Sequence, residues 1–345
     1  MNVGQVIACA REWVELYGRH TLGFCCAHLM GGITTLPKDA PFPAYRDVDL
    51  NMVLHDLPER DIRDFAYNGL IMECGVFSRA EYRTAADVLA SPELAPNLVV
   101  DSILADPAGM LARLHSAVAQ EYTRREWVRA RCAYMKNSVV QTLEAMAQAR
   151  LAGALLFPLG RIVCDLAGLI AVAQLQPPTH RRWLILMREL LAPQGELALY
   201  EEVLRLFGVA HLTRQQVETS LEDCASAFGH AAAVYRTPIL YGFKLHAHVR
   251  PYLVEGAQEM IAAGHHREAM LWLAVFFYIA NTAIQRDGSA EVQQRFQAQF
   301  DRLLHELGLD TPQVWQARLQ YARRVADAVF IVADDIVAHH PAIRP

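Results

Sequence analysis

Apolar side chains recur at helical spacing through residues 3–17, where Val3, Val6, Ile7, Ala10, Val14 and Tyr17 share one face and Gly18 follows as a stop. The pattern then changes. "TLGFCCAHLMGG" (21–32) is a compact β-prone run closed by two glycines, and Pro37, Pro41 and Pro43 break any regular element across 33–46. "DVDLNMVL" (47–54) alternates as a strand does. "IRDFAY" and "LIMECGVF" flank Asn68-Gly69, the dipeptide that best fits a type I′ hairpin turn. "NLVVDSIL" (97–104) predicts one more strand.

The period switches again at "ADPAGMLARL" (105–114). Asp106 can cap a helix, and Pro107 suits its first turn, where no helical N–H bond is lost. From there the pattern is helical nearly to residue 340, broken only by Pro and Gly at positions such as Pro177, Pro193, Gly208, Pro238, Gly264 and Gly288. The expected fold class is therefore α+β, with a small mixed-sheet domain over 1–105 followed by a large all-α helical domain over 106–345.

Length and composition agree with two such cores. The chain has 345 residues, 53% of them hydrophobic and 20% charged, with a formal net charge of −5. That balance gives no electrostatic reason to expect a nucleic-acid partner, although local basic patches are compatible with it. Seven cysteines, odd in number and without a CxxC pair, read as reduced core thiols of a cytoplasmic protein. Arg11, Glu12, Glu15 and Arg19 argue against a secretory leader. Two apolar runs, 151–175 and 270–284, read as buried helices and not as membrane spans: Arg161 and Asp165 interrupt the first, and the second falls short of the roughly 20 residues a span needs.

The chemistry concentrates in the alternating strand. Side chains at i and i+2 point to one face, so Asp47 and Asp49 lie together while Val48 and Leu50 face a core. Adjacent carboxylates repel, and a hard dication such as Mg²⁺ is the usual answer, its octahedron completed by phosphate oxygens and water. Glu73 is a charge inside a run otherwise fit for burial, and it joins the pair if its strand lies beside 47–54. Gly31 and Gly32 would let backbone N–H groups approach a triphosphate closely. A solvated edge strand is the bland alternative for an isolated D-x-D.

"LMGGITTL" followed by "RDVDLNMV" resembles the signature of the DNA polymerase β-like nucleotidyltransferase superfamily, and within it the antibiotic enzymes of the aminoglycoside and lincosamide type. "LADPAGMLARLHSAVAQEY" (104–122) is similar to the strand-to-helix junction of those enzymes, and "LQPPTHRRWLIL" (175–186) to their helical-domain turn. The resemblance covers roughly residues 20–125, weakens to about 190 and is absent beyond. It implies a palm-like domain, Mg²⁺ as cofactor, ATP or another nucleoside triphosphate as co-substrate, and a small hydroxyl-bearing acceptor bound between the two domains. It implies Asp47, Asp49 and Glu73 as metal ligands, and Gly31 and Gly32 as the triphosphate-contacting turn. Arg181 and Arg182 would meet the β- and γ-phosphates, and Glu73 or Glu144 would take the acceptor's proton. No membrane partner is implied, and a homodimer is compatible with it. Two departures stand out: many relatives have Ser where this chain has Gly32, and the usual basic residue soon after the glycines is absent, with Lys38 as its substitute. Alternatives are a toxin-like enzyme that modifies tRNA or protein, and a nucleotide-binding sensor.

Three further groups are read as surface or interface residues, because none has the compact spacing of a zinc ligand set. These are Lys244, His246, His248 and Arg250; His265 and His266; and Asp334, Asp335, His339 and His340. His28 alternates toward one sheet face, and Glu196, Glu201 and Glu202 read as a solvated helix face.

Overall fold

The computed structural model describes residues 1–55, 61–148, 155–177 and 181–345. Helix α1 (Val3–Leu16) starts at a reciprocal cap: Asn2 Oδ1 accepts the Gln5 N–H and Gln5 Oε1 accepts the Asn2 N–H, both at 2.9 Å. Five strands follow, β1 (Phe24–Leu29), β2 (Asp47–Leu54), β3 (Asp61–Tyr67), β4 (Leu70–Ser78) and β5 (Ile103–Ala105), in the sheet order β3-β4-β2-β1-β5. The hairpin predicted at Asn68-Gly69 is present, both residues at positive φ (48° and 76°) as a type I′ turn requires. Because β3 is antiparallel to β4, β4 returns to lie parallel to β2, and the sheet is mixed.

Alternation sorts the two faces. Val48, Leu50, Met52, Met72 and Val76 pack with Val6, Ala10 and Val14 of α1. Each such fully buried side chain contributes about 1.5–3 kcal/mol. On the opposite face Cys26, Val53 and Phe77 meet Tyr82, Val88, Leu98, Leu111 and Val118, contributed in part by helices α2 (Ala85–Ala90), α3 (Ala95–Leu98) and α4 (Met110–Glu121). These short helices cover the C-terminal halves of β2 and β4.

Two expectations need correction. The run 97–104 is not one strand: Pro96 and Asn97 sit in α3, and only Ile103–Ala105 is extended. Asn97 commits its side chain to the Glu93 carbonyl in the turn before its helix and to the Gly31 N–H, and Ser102 Oγ bonds the Asn97 carbonyl at 2.5 Å, which bends the chain into a turn. Asp106 does cap, accepting the N–H groups of Met110 and Ala112 at 2.8 and 2.9 Å, but the helix starts at Met110, so Pro107 precedes it.

The remaining elements are helical: α5 (Arg125–Gln148), α6 (Leu156–Ala173), α7 (Trp183–Leu191), α8 (Leu197–Phe207), α9 (Arg214–Val234), α10 (Arg250–Ala262), α11 (His266–Asp287), α12 (Ala290–Glu306) and α13 (Pro312–His339). The class is α+β. The chain divides into two compact units, Met1–Tyr134 with Ala171–His180 and Asp334–Pro345, and Met135–Ile170 with Arg181–Ala333. In the first, Arg131 is 1% exposed and donates to the carbonyls of Leu89 (2.9 Å) and Tyr122 (2.8 Å), closing the ends of α2 and α4. In the second, Arg318 clamps four carbonyls, those of Arg205 and Leu206 ending α8 and those of Leu307 and Gly308 beyond α12, at 2.7–3.1 Å. Helices α6 and α11 are long and apolar enough to cross a bilayer, and both are largely buried within this structure, at 78% and 72% of their apolar windows.

Candidate metal centre

The parallel pairing of β2 with β4 sets Asp49 directly opposite Glu73 and Asp47 opposite Ile71. Neighbouring strands lie about 4.8 Å apart and alternate residues share a face, so backbone register alone brings the three acids together. Asp47, Asp49 and Glu73 are half-buried, and each offers a carboxylate oxygen within 4.8 Å of the others. Among the described residues this is the one group of three metal-ligating side chains so close together. The donors are all hard oxygens, as Mg²⁺ or Mn²⁺ requires. Metal–oxygen bonds of about 2.1 Å put opposed ligands about 4.2 Å apart, so small side-chain rotations fit this set to a dication.

Gly31 closes one side of the group. It has φ +67°, and a Cβ there would lie 2.7 Å from Asp49 Oδ2, so only glycine lets the turn approach the carboxylate. The Met30 N–H donates to the Asp49 carbonyl at 2.8 Å, pinning the same corner to β2. Gly32 is different: a Cβ there would meet nothing within 4 Å, so space does not demand glycine at the position where the resembling enzymes carry Ser. Lys38 lies exposed, its carbonyl accepting the Gly4 N–H at 2.8 Å.

The sequence reading missed what holds this corner. Asn97, fully buried, accepts the Gly31 N–H at 3.0 Å and donates to the Glu93 carbonyl at 2.7 Å. Behind the acids, on the same face, His28, Asn51 and Tyr82 form a second polar group with no solvent contact beyond 1%. His28 Nδ1 lies 2.9 Å from the Leu29 carbonyl, which can only accept, so Nδ1 carries the proton and Nε2 accepts from the Tyr82 hydroxyl at 2.8 Å. The Asn51 amide donates to the same hydroxyl at 3.2 Å. Burial holds the His28 ring neutral, its pKa pushed down from 6.5 to about 4, and drives the Tyr82 hydroxyl well above its ordinary value. The available signal was Asn51 itself, the next residue on the Asp47–Asp49 face.

The other candidate residues lie in the second unit. Glu144 is exposed on α5. Arg181 donates to the Tyr252 carbonyl at 2.9 Å with its guanidinium 4.5 Å from the centre of the Tyr252 ring, and Arg182 lies 4.0 Å from Glu259. Thr179 of the 175–186 turn falls outside the described residues. Of the histidine groups, His246 and His248 stack with ring centres 5.5 Å apart, and His266 Nε2 donates to the Leu212 carbonyl at 3.2 Å. No family model matches this chain, and no curated protein matches it. What the structure defines is a mixed five-stranded sheet carrying an acidic triad suited to a divalent metal, followed by a helical region.

Proposed function

We propose that the chain is a divalent-metal-dependent nucleotidyltransferase that moves a nucleoside monophosphate, AMP from ATP, onto a hydroxyl of a small molecule. One observation carries this reading: Asp47, Asp49 and Glu73 converge beside the Gly31 corner on one face of a mixed sheet. Asp47 and Asp49, with Glu73, would hold Mg²⁺ on the triphosphate. The bound metal supplies neutralisation of charge on the α-phosphate and on the leaving pyrophosphate.

The acceptor oxygen bonds to the α-phosphorus as the bond to the bridging oxygen of pyrophosphate breaks, and the hydroxyl proton passes to a carboxylate. Glu73 takes that role where it does not complete the metal site, and Glu144 is the rival base. The test is Mg²⁺-dependent pyrophosphate release from ATP with a panel of acceptors, aminoglycosides and lincosamides first, and with intact-mass measurement of tRNA and protein acceptors alongside. Asp47→Asn/Asp49→Asn lowers the rate by about 10³-fold or more, on the order of 4 kcal/mol of transition-state stabilisation. A variant as active as wild type ends the reading.

A second reading, a nucleotide-binding sensor without turnover, is favoured by one observation. The Gly31 N–H is already committed to Asn97, so the corner offers a phosphate one donor fewer than the bare glycine pair suggests. Calorimetric binding of ATP with Mg²⁺ and no pyrophosphate from any acceptor would select it.

A further inference from the structure

The far end of β2 has the opposite electrostatic character. Six residues beyond Asp49, about 20 Å along an extended strand, His55 borders a cavity of ≈ 520 Å³ that is also lined by Arg79, Tyr82, Arg83, Arg113 and Leu114. We propose that this cavity is a second ligand site of the first unit, one that takes a phosphate-bearing small molecule.

The charge count supports that ligand. Three guanidinium groups line one concavity in a chain of net charge −5. Among the described residues, one carboxylate pairs with any of them: Asp87 lies 3.7 Å from Arg83. That carboxylate also accepts the Thr84 N–H at 3.1 Å and the Thr84 hydroxyl at 2.7 Å as part of a helix cap, so its charge is shared. The remaining excess of about two positive charges matches a phosphate monoester, which carries roughly −1.5 to −2 at neutral pH, better than a single carboxylate.

The donors match as well. Arg79 Nη1 lies 3.2 Å from His55 Nδ1, and a guanidinium can only donate, so His55 accepts there and keeps its proton on Nε2. Arg113 spends Nη1 on the Ala108 carbonyl at 3.1 Å. Each arginine has five N–H donors in a planar fork suited to phosphate oxygens, so most of that capacity remains for a ligand. The volume is that of a small-molecule pocket, and a concave site differs from the basic stripe that a polynucleotide backbone needs. One lining residue is fixed, because the buried Tyr82 ring is held through its hydroxyl by His28 and Asn51.

The test is calorimetric titration of the full chain in EDTA, which removes any metal-dependent binding at the acidic triad. The titrants are inorganic phosphate, pyrophosphate and a nucleoside 5′-monophosphate, with a dicarboxylate as control. Saturable binding of at least one phosphate species is expected, weakened at least about tenfold in Arg79→Gln/Arg113→Gln and unchanged in Asp47→Asn/Asp49→Asn. Tighter binding of the monophosphate than of inorganic phosphate identifies a nucleotide-type ligand; equal affinities identify the phosphate group alone. No saturable heat in wild type up to about 10 mM overturns the proposal, as does equal binding of the dicarboxylate or full retention in the arginine variant. A thermal midpoint for that variant equal to wild type separates lost binding from lost folding, and the single Arg113→Gln protein serves if the pair fails to fold. Because the titration excludes metal, its failure leaves the nucleotidyltransferase reading standing, and the reverse also holds.

Discussion

The two ends of β2 differ more than its length suggests. On one face the alternate residues run Asp47, Asp49, Asn51, Val53, and the chain then passes His55 at a cavity with three arginines. The acidic end gathers like charges within 4.8 Å of one another. At an effective dielectric constant of about 20, two such charges repel by about 3.5 kcal/mol, and partial exposure lowers that figure. The helical unit treats its buried acids otherwise. Asp165 takes Arg161 Nε at 2.9 Å and Ser138 Oγ at 2.7 Å, and Glu268 bonds the Tyr200 hydroxyl. Acids set among donors stabilise a fold, whereas three carboxylates converging this closely make a hard-oxygen donor set of the kind a dication takes. Between the two ends of β2, the neutral His28–Tyr82–Asn51 group separates opposite potentials without adding charge.

The largest expected effect on stability tests that neutrality. The folded His28 ring stays unprotonated down to about pH 4, whereas in the unfolded chain it titrates at its ordinary 6.5. Between those values the unfolded state binds the extra proton, so stability is full above about pH 6.5, falls as pH drops toward 4, and loses nothing further from this group below that. The span is worth about 3 kcal/mol. Urea unfolding at a series of pH values should show the wild-type advantage over His28→Gln shrinking by up to that amount between pH 7 and 4. Parallel stability curves would mean that the ring protonates in place, and the neutral spacer would be a misreading.

A smaller effect is expected where the acidic end is held. Asn97→Ala removes the acceptor of the Gly31 N–H and the donor to the Glu93 carbonyl, both partly buried. Each orphaned group costs about 1–3 kcal/mol, and a net loss of about 2 kcal/mol is expected after local relaxation. Because Gly31 abuts Asp49, affinity for Mn²⁺ should fall by about 10–100-fold. Superimposable Mn²⁺ titrations of variant and wild type would detach Asn97 from the site and leave it a role in packing alone.

The contrast also explains what could be read from the chain. The Asn68-Gly69 turn and the shared face of Asp47 and Asp49 follow from local rules, turn chemistry and a period of two, so they were legible. Glu73 depended on a pairing that no local rule specifies; the parallel register of β2 with β4 supplies it. Residues 97–104 misled because Val99, Val100 and Ile103 look like a strand while the side chain of Asn97 decides the backbone. Asn51 and His28 could be placed on a sheet face by alternation, but their hydrogen bonds to Tyr82, and those of Arg131, could not, since a polar residue in an apolar run discloses nothing about the distant partner that satisfies it. The arginines of the cavity were similarly opaque: Arg79 and Arg83 lie close in sequence but in a chain of negative net charge, and only the fold brings Arg113 to them.

The smallest expected effect concerns those arginines, and its size is the point. Arg79 and Arg113 are exposed, and among the described residues neither forms an ion pair. If they are kept for a ligand and not for the fold, Arg79→Gln/Arg113→Gln should change the free energy of unfolding by no more than about 0.5 kcal/mol in ligand-free buffer. Relief of repulsion between clustered cations could even raise it slightly at low ionic strength, and added salt would erase that gain. Denaturant midpoints at two salt concentrations measure both. A loss above about 1 kcal/mol would show that the guanidinium groups brace the loops around His55 and α4. The basic end of β2 would then be structural, and the acidic end would stand alone as the chain's binding chemistry.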